Sequence, residues 1–274
     1  MRLDSHQHFW QYNPDEHVWM NDQMEILKHD YLPKDLEPLL KETGFDGTIA
    51  VQARQMFKET EWLLELAGQH EIIKGVVGWV DLCSDKINEQ LEKYSKNNKL
   101  KGVRHVVQEE PDDFLLGKAF QNGISQLKMY DLTYDLLVFP RQLSASIKLV
   151  EKFPEQLFVI DHIAKPDIKN KVVKGWEKDM KTLAGYSNVY CKLSGMVTET
   201  HWHHWSPEEF KVYMDIVINA FGTQRIMVGS DWPVCILSGN YKSVMEITTK
   251  YCEQFSKEEQ DNMLGINCAR FYSL

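Results

Sequence analysis

Eight short apolar segments alternate with helical patterns along a chain of 274 residues and predict an α/β fold, a parallel (β/α)8 TIM barrel. One such barrel takes roughly 250 residues, so the length favours a single domain over residues 1–274. No Gly-x-Gly-x-x-Gly or P-loop motif follows the first strand, which argues against an open doubly wound sheet. No internal repeat or low-complexity linker divides the chain.

The predicted strands are continuous apolar or β-branched segments, as expected for strands that are buried on both faces of a parallel sheet. They comprise residues 2–8, 47–53, 73–80, 102–107, 132–138, 157–162, 189–194 and 225–231. The fifth of these segments is the most weakly marked. Helical patterns occupy the intervals, for example at residues 60–67 and 207–220. This alternation predicts a sheet that is covered by helices.

Composition and charge restrict the partners and the compartment. The net charge of -9 argues against a nucleic-acid partner, which would require clustered basic residues. No apolar segment approaches the ~20 residues that span a bilayer, and the N-terminal segment lacks the apolar core of a signal peptide. The five cysteines are scattered without a Cys-x-x-Cys spacing, so we expect neither a disulfide framework nor a structural zinc site. We expect a cytoplasmic enzyme, either a monomer or a homo-oligomer.

Polar residues collect at the predicted carboxyl ends of the strands, where the active site of such a barrel lies. His6 and His8 end the first strand, and Asp231 ends the eighth. Side chains two positions apart in a strand point to the same face, so two imidazoles and a distant carboxylate can converge on one metal ion or one water molecule. Further polar residues end the other strands: Gln52, Arg54, Arg104, His105, His162, Lys192 and Ser194. This pattern predicts a hydrolase.

Six segments resemble the amidohydrolase superfamily, and within it the branch of sugar lactonases that act on L-fucono- and L-rhamnono-lactones. They are residues 4–10 (DSHQHFW), 51–54 (VQAR), 102–108 (GVRHVVQ), 161–166 (DHIAKP), 191–199 (CKLSGMVTE) and 229–234 (GSDWPV). The resemblance covers nearly the whole chain. It implies a (β/α)8 barrel that hydrolyses an ester-like or amide-like bond with an activated water molecule, and a small sugar lactone as substrate.

One departure from the superfamily bears on the metal. The common mononuclear site takes a histidine from strand 5, whereas residues 132–138 contain none. Strand 4 also lacks an obvious bridging lysine, which disfavours a binuclear centre. His6, His8 and Asp231 can still hold one divalent ion, with zinc as the first candidate for nitrogen and oxygen ligands. A metal-independent enzyme is an equally weighted alternative.

Lactone hydrolysis requires a base, a group that polarises the carbonyl and an acid for the departing ring oxygen. Asp231 is the predicted base, with His6 and His8 beside it, unless it only caps the following turn. His162 is the predicted polariser or acid, unless it is a core histidine, and Arg104 or a metal is the alternative polariser. We expect the sugar hydroxyls to be contacted by Gln52, Arg54, Arg104, His105, Lys192, Trp232 and Trp19.

Two loops lie close to the predicted site, and three functions other than sugar lactonase remain open. Residues 201–205 (HWHHW) follow strand 7, so His201, His203 or His204 is either a replacement metal ligand or a solvated loop residue. Residues 13–20 are long enough for a lid, in which Trp19 closes one wall of the pocket or packs against the helices. The alternatives to a sugar lactonase are metal-dependent decarboxylation of an aromatic acid, hydrolysis of a dicarboxylate lactone, and ligand binding without turnover.

Overall fold

The computed structural model describes all 274 residues and contains one sheet of eight parallel strands in sequential order. The strands are β1 Leu3–Gln7, β2 Gly47–Val51, β3 Ile73–Gly78, β4 Leu100–Val106, β5 Thr133–Leu137, β6 Phe158–Ile160, β7 Val189–Leu193 and β8 Ile226–Val228. Just beyond β8 the chain meets β1, where the Asp231 amide donates to the His6 carbonyl at 2.8 Å and the His8 amide donates to the Trp232 carbonyl at 2.7 Å. The predicted (β/α)8 barrel is confirmed.

Helices surround the barrel and bury their apolar faces against the sheet. They are α1 Pro33–Thr43, α2 Phe57–Gln69, α3 Ile87–Ser95, α4 Lys118–Leu127, α5 Leu143–Lys152, α6 Trp176–Ala184, α7 Pro207–Phe221, α8 Tyr241–Cys252, α9 Lys257–Asp261 and α10 Asn267–Phe271. In α7 the Ser206 amide donates to Glu209 at 3.1 Å, and Pro207 occupies the first turn, where no amide donor is required. The helical patterns predicted at residues 60–67 and 207–220 lie within α2 and α7. No helix is long and apolar enough to cross a membrane.

The lower end of the barrel is filled by apolar side chains and closed by the last helix. Cys268, Phe271 and Tyr272 of this C-terminal segment are each 1% exposed. They pack against the inward-facing side chains of the strands, namely Leu3, Ile49, Val51, Val77, Val159 and Met227. The C-terminal segment therefore lies directly beneath the barrel interior.

All eight strands end one to three residues earlier than the sequence predicts, and two of these differences place site residues in turns. β6 ends at Ile160 and β8 at Val228, so His162 and Asp231 lie in the turns that follow. His162 has φ 55° and Asp231 has φ 58°, and residues 163–165 also have positive φ. Left-handed conformations of residues other than glycine cost of order 1–3 kcal/mol each and concentrate at functional sites. The pattern of apolar and polar residues in a sequence does not predict such turns.

Candidate active site

Four side chains converge at the carboxyl ends of β1, β6 and β8. The Asp231 Oδ1 atom lies 3.3 Å from His8 Nε2, 3.7 Å from His162 Nε2 and 3.9 Å from His6 Nε2. The Nε2 atoms of His6 and His8 are 3.3 Å apart. All four residues are buried, at most 4% exposed. The structure therefore assembles the group of residues that the sequence analysis assigned to catalysis.

The buried carboxylate of Asp4 holds the turn that carries Asp231 through hydrogen bonds. Asp4 accepts hydrogen bonds from the Ser230 amide at 2.9 Å, the Ser230 hydroxyl at 2.6 Å and the Tyr241 hydroxyl at 3.1 Å. Asp4 lies on β1, two residues before His6. One carboxylate thus ties the histidine strand to the turn of Asp231.

His162 packs against a glycine that no other residue can replace without strain. A Cβ atom on Gly195 would lie 2.4 Å from His162 Nδ1, and the φ of Gly195 is +63°. The same His162 Nδ1 atom lies 2.9 Å from the hydroxyl of Ser194. β7 therefore positions His162 through both a hydrogen bond and close backbone contact.

Burial sets the charge states within this cluster. It holds the pKa values of His6 and His162 well below the ordinary value for histidine, although Asp161 and Asp231 respectively oppose the shift. Burial alone would raise the pKa of Asp231, but His162, His8 and Lys165 hold it below the usual value. At neutral pH the Asp231 carboxylate is therefore ionised and the imidazoles of His6 and His162 are neutral.

The donor set of His6, His8 and Asp231 fits a divalent ion. Nitrogen ligands at about 2.0–2.1 Å in tetrahedral geometry are about 3.3 Å apart, and the two histidine nitrogens are 3.3 Å apart. His8 Nδ1 donates to the Val51 carbonyl at 2.8 Å, so its Nε2 carries a free lone pair. The ligand atoms of all three residues lie within 4.8 Å of one another. The residues therefore match a mononuclear site with one or more positions open.

Lys192 differs from the expectation that it contacts substrate. Its side chain is fully buried, and its Nζ atom lies 2.5 Å from Asp135, 3.0 Å from Asp161 and 3.2 Å from His6 Nδ1. Burial would lower the pKa of Lys192, but the two carboxylates raise it above the ordinary value. With its three donors occupied beneath the histidines, the ammonium group does not reach the open end of the barrel.

Arg104 and Gln52 lie together beside the cluster. The Arg104 guanidinium donates from Nε to Gln52 Oε1 at 3.1 Å and from Nη1 to Asp161 at 3.1 Å. Nη1 also lies 3.3 Å from His6 Nε2. Burial would raise the pKa of Asp161, but the Lys192 ammonium and the His6 imidazole hold it well below the usual value. Arg104 thus brings a positive charge next to the reactive residues.

Arg54 and His105 lie at the carboxyl end of the barrel but are engaged by acidic partners. Arg54 pairs with Glu59 and with Glu16, which belongs to the loop after β1. His105 Nε2 lies 3.0 Å from Glu110. Both side chains are 13% exposed. The Arg54 pair therefore connects the predicted lid loop to the end of β2.

The two tryptophans proposed as pocket walls have different surroundings. Trp232 is 3% exposed, and its ring packs 5.3 Å from Tyr31, so it presents no broad open face. Trp19 is half-buried and packs edge-on against Trp10 at 6.0 Å. Trp19, Ala53 and Val234 all pack against one buried apolar cluster, which gathers residues of the loops that follow β1, β2 and β8.

The histidines after β7 do not join the cluster. His201, His203 and His204 are exposed, and none belongs to a group of side chains that could hold a metal. The third imidazole near the ion site belongs to His162. The sequence analysis missed two aspartates, Asp161 and Asp135. A carboxylate within an apolar strand is costly to bury without a partner, and that signal could have identified Asp135.

Comparison with known proteins agrees with this geometry. The family model described as amidohydrolase (Amidohydro_2) matches residues 3–274. The protein belongs to the amidohydrolase family. This amidohydrolase is 37% identical over 286 residues to a protein of Burkholderia multivorans named L-fucono-1,5-lactonase, with coverage of 100% of this chain and 96% of the relative. A Burkholderia ambifaria protein of the same name is 34% identical over 280 residues, with the same coverage of both chains.

A solved structure supports the assignment to the amidohydrolase family. An amidohydrolase from Burkholderia multivorans, crystallised with bound zinc, superposes on this amidohydrolase with a TM-score of 0.97 and 37% sequence identity. The match covers 100% of this chain and 99% of the other. The fold of this amidohydrolase is therefore that of the zinc-bound relative over the whole described chain.

Proposed function

We propose that this amidohydrolase opens a sugar lactone, with L-fucono-1,5-lactone as the first candidate substrate. The supporting observation is the buried Asp231 carboxylate, which faces three imidazoles within 3.9 Å at the mouth of the barrel. Two relatives that match over the full chain carry the name L-fucono-1,5-lactonase. The proposal treats residues 1–274 as one catalytic domain, since all eight strands belong to one sheet.

In the proposed reaction, Asp231 accepts a proton from the attacking water molecule. Its pKa is held below the usual carboxylate value, so the base is ionised at neutral pH. His6 and His8 orient the water through their ring nitrogens. The neutral imidazole of His162 either polarises the lactone carbonyl or protonates the departing ring oxygen. In both cases the proton that Asp231 took from water ends on that oxygen, directly or by way of His162, whose Nε2 atom lies 3.7 Å from Asp231 Oδ1. Arg104 supplies positive charge beside the cluster.

We propose a divalent ion, zinc first, as an optional occupant of the site formed by His6, His8 and Asp231. Such an ion supplies Lewis acidity and lowers the pKa of water when it is bound. The support is the separation of the donor atoms and the zinc in the Burkholderia multivorans structure. The proposed role of Asp231 as the base and that of His162 as the acid do not require the ion.

We assign contact with the sugar hydroxyls to residues near the mouth of the barrel. Gln52 and Arg104 lie beside the cluster, whereas Arg54, His105 and Trp19 lie on the surrounding loops. Because the four reactive residues are buried, the substrate needs the loops above them to open. The Glu16–Arg54 pair is the contact that such an opening would break.

A screen of aldonolactones with a pH indicator tests the proposal, because each ring opening releases a proton. Parallel assays with 2-pyrone-4,6-dicarboxylate and with a dihydroxybenzoate test the alternative hydrolase and the decarboxylase. We expect turnover of L-fucono-1,5-lactone and none of the aromatic acid. Turnover of the aromatic acid without any lactone hydrolysis would reject the proposed function. Repeating the screen with a chelator separates an obligatory metal from an optional one.

A further inference from the structure

Lys165 ends the strained turn that carries His162 at the carboxyl end of β6. Residues 162–165 all have positive φ, and the Lys165 amide donates to the His162 carbonyl at 2.8 Å. The Trp176 indole donates to the Ile163 carbonyl at 2.7 Å, which ties the turn to α6. Residues held in sparsely populated conformations concentrate at functional sites. The turn therefore fixes the position of Lys165 relative to His162.

The Lys165 ammonium group lies at the mouth of the barrel, between the loops that follow β5 and β7. Its Nζ atom is 5.9 Å from the centre of the Phe139 ring and 3.6 Å from Glu199 Oε1. The side chain is largely buried, at 18% exposed. Burial is the largest influence on the pKa of Asp231 and on that of His162, and the positive charge of Lys165 acts to lower both. The ammonium group is therefore within electrostatic range of the reactive cluster.

The donors of Lys165 are free, in contrast to those of the other cations near the cluster. Arg54, Arg104 and Lys192 each donate to a carboxylate or an amide oxygen. Glu199 approaches the Lys165 ammonium group only to 3.6 Å, which is longer than a hydrogen bond. An ammonium group carries three donors and no acceptor. Lys165 can therefore bind a strong acceptor or an anion at the mouth of the barrel.

Ring opening supplies such an anion. Water adds to the lactone and the ring ester bond breaks, so a neutral substrate becomes a carboxylate and releases one proton. The lactone carbonyl oxygen stays in that carboxylate. Hydrogen bonds between an ammonium group and a carboxylate are roughly twice as strong as those between neutral groups. A lysine at this place therefore stabilises the negative charge that the reaction creates.

We propose that Lys165 is a substrate-binding residue whose ammonium group binds the lactone carbonyl oxygen and then the carboxylate of the aldonate product. This inference rests on the proposed lactonase function and adds a residue to it. Glu199 holds the side chain at the mouth until a ligand arrives, because the pair is too long for a hydrogen bond and too exposed to be strong.

Isothermal titration calorimetry with L-fuconate, the ring-opened acid, tests the inference on full-length protein in a buffer free of carboxylates and sulfonates. Lys165→Met removes the charge and keeps an unbranched side chain, so the backbone strain at φ 47° is unchanged. We expect this variant to raise the Kd for L-fuconate about 10–100-fold, since hydrogen bonds to charged groups are the strong ones. We expect kcat/KM for L-fucono-1,5-lactone to fall over the same range.

Two further variants separate anion binding from a structural ion pair. Glu199→Gln also breaks the pair but leaves the ammonium group in place, so the Kd for L-fuconate should fall, by up to about fivefold. Lys128→Met is the matched control, because Lys128 pairs with Glu155 at 2.7 Å on the outer surface. We expect it to bind L-fuconate as the wild type does.

Three results would overturn the inference. They are wild-type affinity for L-fuconate in Lys165→Met, equal losses of affinity in Lys165→Met and Glu199→Gln, and no binding of L-fuconate to the wild type. Absence of lactone hydrolysis by the wild type would instead reject the proposed function. The calorimetric comparison does not use turnover, so it still decides whether Lys165 binds the acid.

Discussion

Replacing Gly195 by alanine should disable the site through His162. The new Cβ atom would lie 2.4 Å from His162 Nδ1 and 2.6 Å from its Cγ, so the imidazole must move by about 1 Å to restore ordinary contact. This movement breaks the 2.9 Å contact with Ser194 and displaces Nε2 from Asp231. A misplacement of about 1 Å costs on the order of 100-fold in rate, so kcat should fall about 100-fold.

The change also introduces backbone strain, which requires its own control. Alanine at φ +63° costs roughly 1–2 kcal/mol, which lowers Tm by about 2–8 °C in a chain of this size. Gly44→Ala imposes the same strain at φ +75°, with no atom within 4 Å of the new Cβ. Lactonase assays and thermal melts of both variants separate the two effects. Wild-type kcat in Gly195→Ala, or equal losses of kcat in both variants, would refute the reasoning.

Three further predictions concern the base, the histidines and the substrate. Asp231→Asn keeps the side-chain shape, and asparagine tolerates the positive φ, so Tm should change little while kcat falls by about 10²–10⁴. Asp215→Asn on the outer helices is the control. Unchanged kcat in Asp231→Asn would show that Asp231 is not the base. Joint replacement of His6 and His8 by asparagine should abolish most turnover and zinc retention, as measured by elemental analysis, and full activity of wild-type protein after exhaustive chelation would exclude an obligatory ion. L-Fucono-1,5-lactone should exceed unsubstituted δ-valerolactone in kcat/KM by about 10–100-fold, because each buried donor left unpaired costs roughly 1–3 kcal/mol; equal kcat/KM values would show that the hydroxyls are not recognised.

The barrel could be predicted from the sequence because its signals are local. Each strand is a short apolar segment, and the alternation with helices recurs along the chain, so even the weakly marked fifth strand, β5 Thr133–Leu137, was located. His6 and His8 were recognisable because residues two apart on one strand share a face. Asp231 and His162 were also selected, although the turns that carry them, with φ 58° and 55°, were not foreseen.

The sequence by itself determined the fold class and the residue types that gather at the strand ends, since both follow from short-range periodicity. Only the tertiary structure decided which polar side chains face the open end of the barrel and which lie beneath the histidines. Lys192 contacts Asp135 across 57 positions, and Tyr272 reaches Asp135 across 137 positions. Closure of the barrel brings these distant residues together, and the alternation of strand faces turns Lys192 inward. No local pattern encodes such contacts, which is why a lysine expected to contact a sugar instead pairs with two buried carboxylates beneath His6.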